Sequence, residues 1–219
     1  MRPGALERGA PRWTRPALAA AAVVCAATAP AAAAETAARA PAALAGEPVV
    51  VRDGHEPRVG MADLTRVQLG RAADGRLRGA LTLAAAWKTA DLLAPAGTAP
   101  PAPPGSVCLR LWTVSPARGA PADYLACVTS DGRGRRLEGT VWREGEEGLQ
   151  RVADAVAARS SARTVTIRFA QSSVGRPDRI RFAGEATRPG CPRTSCIDTA
   201  PDAPGTATLA LRSRAASQE

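Results

Sequence analysis

The apolar residues of this chain recur with a period of two over most of its length, and that alternation restricts it to half-buried strands. Val67 and Leu69 alternate with polar neighbours, as do Leu77, Leu81 and Leu83. The pattern returns in Val165, Ile167 and Phe169 against Thr164, Thr166 and Arg168, in Ile180 and Phe182 against Arg179 and Arg181, and in Leu209 and Leu211. Asp-Gly pairs at 53-54, 74-75 and 131-132 punctuate the runs, where tight turns need the backbone conformation that glycine adopts cheaply. About eight or nine strands with little helix between them predict an all-β fold, a single antiparallel β-sandwich of jelly-roll or immunoglobulin-like kind. One segment dissents. Leu149, Val152, Ala153 and Val156 fall at helical spacing, so a short helix is expected near 149–158. Prolines 95, 100, 101, 103 and 104 exclude a central strand from Leu92 to Ser106, which is expected to be a long exposed loop.

The first 34 residues have a different character. Arg2, Arg8, Arg12 and Arg15 stand against the single acid Glu7, and an apolar run follows from Ala17 through Val23, Val24 and Cys25 to Ala29. That run is about thirteen residues long, too short to cross a bilayer as a helix, and Ala32-Ala33-Ala34 supplies a small-residue cleavage site before Glu35. Residues 1–34 are therefore read as a secretory signal peptide, and the mature protein as secreted. A lipid anchor on Cys25 is the alternative, but Val23 and Val24 occupy positions that lipid attachment reserves for small residues. No adjacent arginine pair precedes the apolar run, which favours the general export route over the twin-arginine one. No later stretch has the length and apolarity of a membrane-spanning helix.

Cleavage takes four arginines and one glutamate with it, so the net charge falls from +9 to +6. Lys88 is the only lysine and asparagine is absent, a skew that accompanies GC-rich coding and weakens any inference from arginine to nucleic acid. A basic surface still attracts anionic wall polymers or membranes at long range, although arginines spread singly along strands are more often a solvated face. Residues 35–48, rich in Ala and Pro, read as a flexible leader, 49–212 as the β-sandwich domain and 213–219 as a disordered tail.

The middle of the chain permits a construction of register. If Ser106–Thr113 pairs antiparallel with Asp123–Ser130 so that Cys108 faces Cys127, then Val107 faces Val128, Leu109 faces Ala126 and Leu111 faces Tyr124, all on one side. Carried across the 131–134 turn, the same logic sets Val128 opposite Leu137, Ala126 opposite Gly139 and Tyr124 opposite Val141. A one-residue slip would expose every one of these apolar residues. In this register Asp123 lies between Trp112 and Trp142 on the outer face. Two indoles flanking a carboxylate are what sugar-binding surfaces use, the rings stacking on C–H faces while the carboxylate accepts hydroxyl hydrogen bonds. Trp112, Asp123 and Trp142 are accordingly the candidate ligand-binding residues; coverage by the proline-rich loop, or by the opposite sheet, would make the indoles ordinary core.

Removal of Cys25 leaves Cys108, Cys127, Cys191 and Cys196, an even number in an exported chain. Disulfides Cys108–Cys127 and Cys191–Cys196 are expected, the first because facing residues of an antiparallel pair approach within disulfide reach. The spacings C-x18-C and C-x4-C lack the close knuckles of structural zinc, and there is no redox C-x-x-C.

Catalytic signatures are sparse. His55, the one histidine, sits among turn residues and reads as a solvated loop side chain; no G-x-S-x-G elbow accompanies it, and no phosphate-cradling loop precedes Lys88. Paired carboxylates would suffice for a glycosidase, with Glu138, Glu185, Asp198 and Asp202 as the candidates. Asp198 to Asp202 also offers oxygens to calcium, though Asp and Pro account for a turn there without a metal.

Thr164–Ala170, the turn Ser173-Val174-Gly175-Arg176-Pro177, the strand Arg179–Thr187 and the ending Asp198-x-x-Pro201-Asp202 resemble secreted bacterial β-sandwich proteins that are similar in turn to DOMON-type and family-9-like carbohydrate-binding modules. The resemblance covers about residues 60–212 and implies a sandwich that binds carbohydrate. DOMON-type cytochrome domains hold haem through Met and His; Met61 and His55, six residues apart, are a poor pair for it, and no cofactor and no metal is expected. The expected function is an exported, non-enzymatic binding or surface-interaction module for carbohydrate or another cell-envelope polymer, with no nucleic-acid partner. A hydrolase using two carboxylates, or a structural or partner-binding domain signalled by an exposed apolar patch without a pocket, are the alternatives.

Overall fold

The computed structural model describes residues 44–56, 62–97, 102–114, 121–191 and 196–211. The expected signal peptide, leader residues 35–43, Met61 and the tail lie outside them. The described residues belong to one folding unit, spanning Arg39–Glu219.

Eleven strands follow one another: β1 (Leu44–Arg52), β2 (Leu64–Ala72), β3 (Leu77–Leu83), β4 (Ser106–Trp112), β5 (Tyr124–Ser130), β6 (Leu137–Gly145), β7 (Gly148–Arg159), β8 (Thr164–Phe169), β9 (Arg179–Thr187), β10 (Ile197–Ala200) and β11 (Ala207–Ala210). Two short 3-10 turns, Thr89–Leu92 and Gln171–Val174, interrupt the strands. The fold is an all-β antiparallel sandwich, as the alternation predicts, and β1 begins at Leu44, inside the stretch read as leader.

The strand order is β1-β2-β3-β8-β7-β6-β5-β4-β9-β10, with β11 also paired to β9. This path folds into two layers. A front sheet holds β1, β2, β3, β8 and the C-terminal part of β7; a back sheet holds the rest of β7, then β6, β5, β4 and β9, with β10 and β11 end to end along β9. Strand β7 changes sheets along its length, pairing through Ala155 with β6 and from Val156 with β8.

Here the expected helix at 149–158 is replaced by strand. Leu149, Val152 and Val156, which gave the helical spacing, are 46, 43 and 54 % exposed, while Ala153, Ala155 and Ala157 turn inward against the core. The relevant period was two, carried by alanines small enough to sit where the two layers merge. Opposite Ala155, Gly139 has no room for a side chain.

Between the layers lie Leu69, Leu77, Leu81, Leu109, Leu111, Ile167, Phe169, Ile180 and Phe182, all fully buried. Burial of each contributes roughly 1.5–3 kcal/mol, which makes this core the main support of the fold. Two inward glycines set how closely the sheets approach: a Cβ on Gly79 would overlap the Leu109 side chain, and one on Gly184 would overlap Val67.

Candidate functional site

The β4–β5 register is the constructed one, with Val107, Cys108, Leu109 and Leu111 opposite Val128, Cys127, Ala126 and Tyr124. Both cysteine pairs are disulfide-bonded, Cys108–Cys127 with Cα atoms 4.0 Å apart and Cys191–Cys196 with 5.6 Å. The β5–β6 register differs by two residues: Val128 faces Gly139, Ala126 faces Val141 and Tyr124 faces Arg143. The connection is longer than a two-residue hairpin because Asp131 organises it, its backbone bonding Arg136 and its carboxylate accepting the Arg135 N–H at 2.8 Å. A shift of two keeps every side chain on its face but changes neighbours. Trp142 therefore pairs with Leu125, and not with Asp123.

The proposed platform changes accordingly. Trp112 is 7 % exposed and belongs to an apolar cluster on the outer side of the back sheet, with Cys108, Ala122, Leu125, Cys127 and Ala183; Trp142 packs at its margin. The Arg110 guanidinium lies 5.2 Å over the Trp112 ring, and its Nε is 3.7 Å from the fully buried Glu185 carboxylate. Asp123 is occupied by the backbone: Oδ2 accepts from Thr113 N at 2.6 Å, Thr113 Oγ1 at 3.0 Å and Val114 N at 3.2 Å, tying the two ends of the 113–123 connection together. The indoles and the carboxylate thus do not share an open face.

The four carboxylates considered for hydrolysis are dispersed. Glu138 is exposed on β6, Glu185 is buried on the outer side of β9, and Asp202 is exposed in the turn after β10. Asp198 alone points between the layers, where Oδ2 accepts the Leu64 N–H at 2.6 Å and ties β10 to the start of β2. Its pKa is raised to about 6, chiefly by burial; the Leu64 N–H opposes the shift, and the carboxylates of Glu56, Asp63 and Asp53 add to it.

Beside Asp198 is a pair that the sequence did not disclose. Asp63 is fully buried, its Oδ2 meets His55 Nδ1 and accepts the Glu56 N–H at 3.0 Å, and its Oδ1 has no hydrogen-bond partner among the described residues. His55, read as a free loop residue, is anchored through one ring nitrogen while 64 % of its side chain stays exposed. The two residues lie eight apart across the β1–β2 connection, and nothing in the pattern marks Asp63 as buried. No group of three or more His, Cys, Asp or Glu among the described residues is arranged to hold a metal ion.

The outer side of the front sheet is of another kind. Its central row runs across the strands as Val50, Gln68, Ala80, Thr166 and Ala158, each opposite the next. On one side lies the row Arg52, Arg66, Thr82 and Thr164, with the two threonine hydroxyls 3.0 Å apart; on the other lies Gly70, Arg78, Arg168 and Val156. Four arginines stand in the flanking rows around Gln68, Ala80 and the threonines, and Val50 and Val156 are exposed at the ends of their rows. Compared with protein-family models, curated proteins and solved structures, the chain matches none.

Proposed function

We propose that this chain is an exported, non-enzymatic β-sandwich module that binds a polymer of the cell envelope. The observation that carries the reading is the outer side of the front sheet, where Gln68, Thr82 and Thr164 stand partly exposed around Ala80 while the back sheet has buried apolar residues. An open polar sheet face suits an extended, hydroxyl-rich chain, which needs hydrogen-bond partners along its length and no enclosing pocket. Export fits the two disulfides, which persist in oxidising compartments, and the N-terminal signal pattern. Among the described residues no helix is long and apolar enough to cross a membrane. Hydrolysis by paired acids is disfavoured because Asp198 points between the layers, Asp202 lies in a turn, and Glu138 and Glu185, though both on the outer side of the back sheet, have β4 and β5 between their strands.

An array of cell-envelope polysaccharides probed with the purified protein tests this reading. Retention on at least one polymer is expected; absence of retention on all of them would refute it. A second reading, a partner-binding domain, is favoured by the exposed Leu149, Val152 and Val156 along β7. Leu149→Ser with Val152→Ser would abolish capture of a protein partner and leave polymer retention unchanged.

A further inference from the structure

We propose that the outer face of the front sheet grips a linear anionic polysaccharide laid across the strands, its carboxylates or phosphates held by Arg52 and Arg66 on one side and by Arg78 and Arg168 on the other. This inference rests on the module reading above and names its ligand class.

Arginines on this face are arranged in a way that disfavours folding. Arg52 faces Arg66 directly across β1 and β2, and Arg78 faces Arg168 directly across β3 and β8. Like charges placed opposite one another destabilise a sheet, so the Arg52–Arg66 pair, which no carboxylate among the described residues offsets, is a cost to folding. Singly spread arginines would be a solvated surface; paired arginines concentrate positive potential where an anion can neutralise it. Among the described residues neither Arg52 nor Arg66 has a carboxylate partner, Arg66 Nη2 reaching only Gln68 Oε1 at 3.3 Å. At the opposite margin Asp74 meets Arg168 and lies 3.8 Å from Arg76, so one acid offsets part of that charge.

The spacing suits a chain and not a point ligand. Arg66 and Gly70, in the two flanking rows, are four residues apart along β2, so the arginine rows are separated by roughly 13 Å, and five strands give the central row a length of about 19 Å. That is a shallow lane in which a polymer meets the Gln68 amide and the partly exposed Thr82 and Thr164 hydroxyls, with guanidinium forks at both edges; Thr166 lies buried below, donating its hydroxyl to Ala158 O at 3.2 Å. Each fork presents paired N–H donors that match a carboxylate or phosphate. Among the described residues this face carries no aromatic ring, and single-stranded nucleic acid is held mainly by stacking on such rings, so the surface favours an acidic glycan.

Affinity electrophoresis of the full chain in gels containing polygalacturonate, a linear polyuronate, is the test. Wild-type protein is expected to be retarded by polygalacturonate but not by neutral dextran, with retardation weakening as salt rises. Arg52→Gln with Arg66→Gln should weaken retention about tenfold or more, each lost charge-assisted contact being a substantial share of the binding free energy. Arg133→Gln with Arg135→Gln, which removes the same charge from the β5–β6 turn, should leave it unchanged. Equal loss in both double variants would overturn the site in favour of net charge, and tighter binding to single-stranded DNA would overturn the ligand class. Retention that survives in Arg52→Gln/Arg66→Gln removes this site but leaves the module reading standing, whereas failure to bind any envelope polymer removes both.

Discussion

The two outer faces of the sandwich come from the same alternating pattern and have become opposites. Outward residues of the back sheet, among them Cys108, Trp112, Leu125, Cys127 and Ala183, are buried, and even Glu185 is fully enclosed. Outward residues of the front sheet include three threonines, a glutamine and four arginines beside a few small or aliphatic residues, and most of them are partly or fully exposed. The contrast separates a face that acts as a second core from one that stays largely open, the face we propose for recognition. Each substitution below probes one side of that division.

The largest effect is expected at Trp112. Trp112→Ala removes the central ring of the back-face cluster and should cost about 3–5 kcal/mol in urea denaturation; a loss under about 1 kcal/mol would mean that this face is surface after all. Next comes the staple beneath it. Replacing Cys108 and Cys127 together by alanine opens a loop with a sequence separation of 19 and should cost about 3 kcal/mol, seen as a lower Tm without reductant.

A smaller, pH-dependent effect belongs to the seam between the sheets. Asp198 has a pKa raised from 3.8 to about 6, so the folded state keeps a proton that the unfolded chain has released. Its contribution is fully present below about pH 4 and is lost as pH rises through 6. Asp198→Asn keeps an oxygen to accept the Leu64 N–H, and stability measured from pH 4 to 7 should fall less in the variant than in wild type; parallel profiles would contradict the assignment. Smallest of all, Arg52→Gln with Arg66→Gln should shift stability by no more than about 0.5 kcal/mol, and relief of the facing charges predicts that the shift is a gain.

Much of the fold was legible because alternation records which side of a strand is buried. The cysteine register followed from one constraint, that Cys108 face Cys127 while the Val107, Leu109 and Leu111 side stays apolar. Alternation is blind to a shift of two, which is why β6 was set two residues out and Asp123 was given the wrong neighbour. It is also weak where the inward residues are alanines, so β7 took on the appearance of a helix from residues that face solvent. The candidate site was less accessible still. Facing arginines become visible only once strands from distant parts of the chain are paired, and the burial of Asp63 beneath His55 depends on a loop with no periodic signature.

Strand β7, shared by both sheets, also orders the assembly of the molecule in time. The β5 to β8 meander closes through short connections, whereas the Thr82–Thr164 contact that completes the front sheet joins residues 82 apart in sequence. Closing that long loop carries the greater entropic cost and is deferred until the meander gives β3 an edge to join. In pulsed hydrogen exchange during refolding, amides of β5 to β7 are therefore expected to gain protection before those of β3. The face we propose for recognition is then completed only after the meander, and a nascent chain would be unable to engage an anionic polymer there until β3 has joined β8.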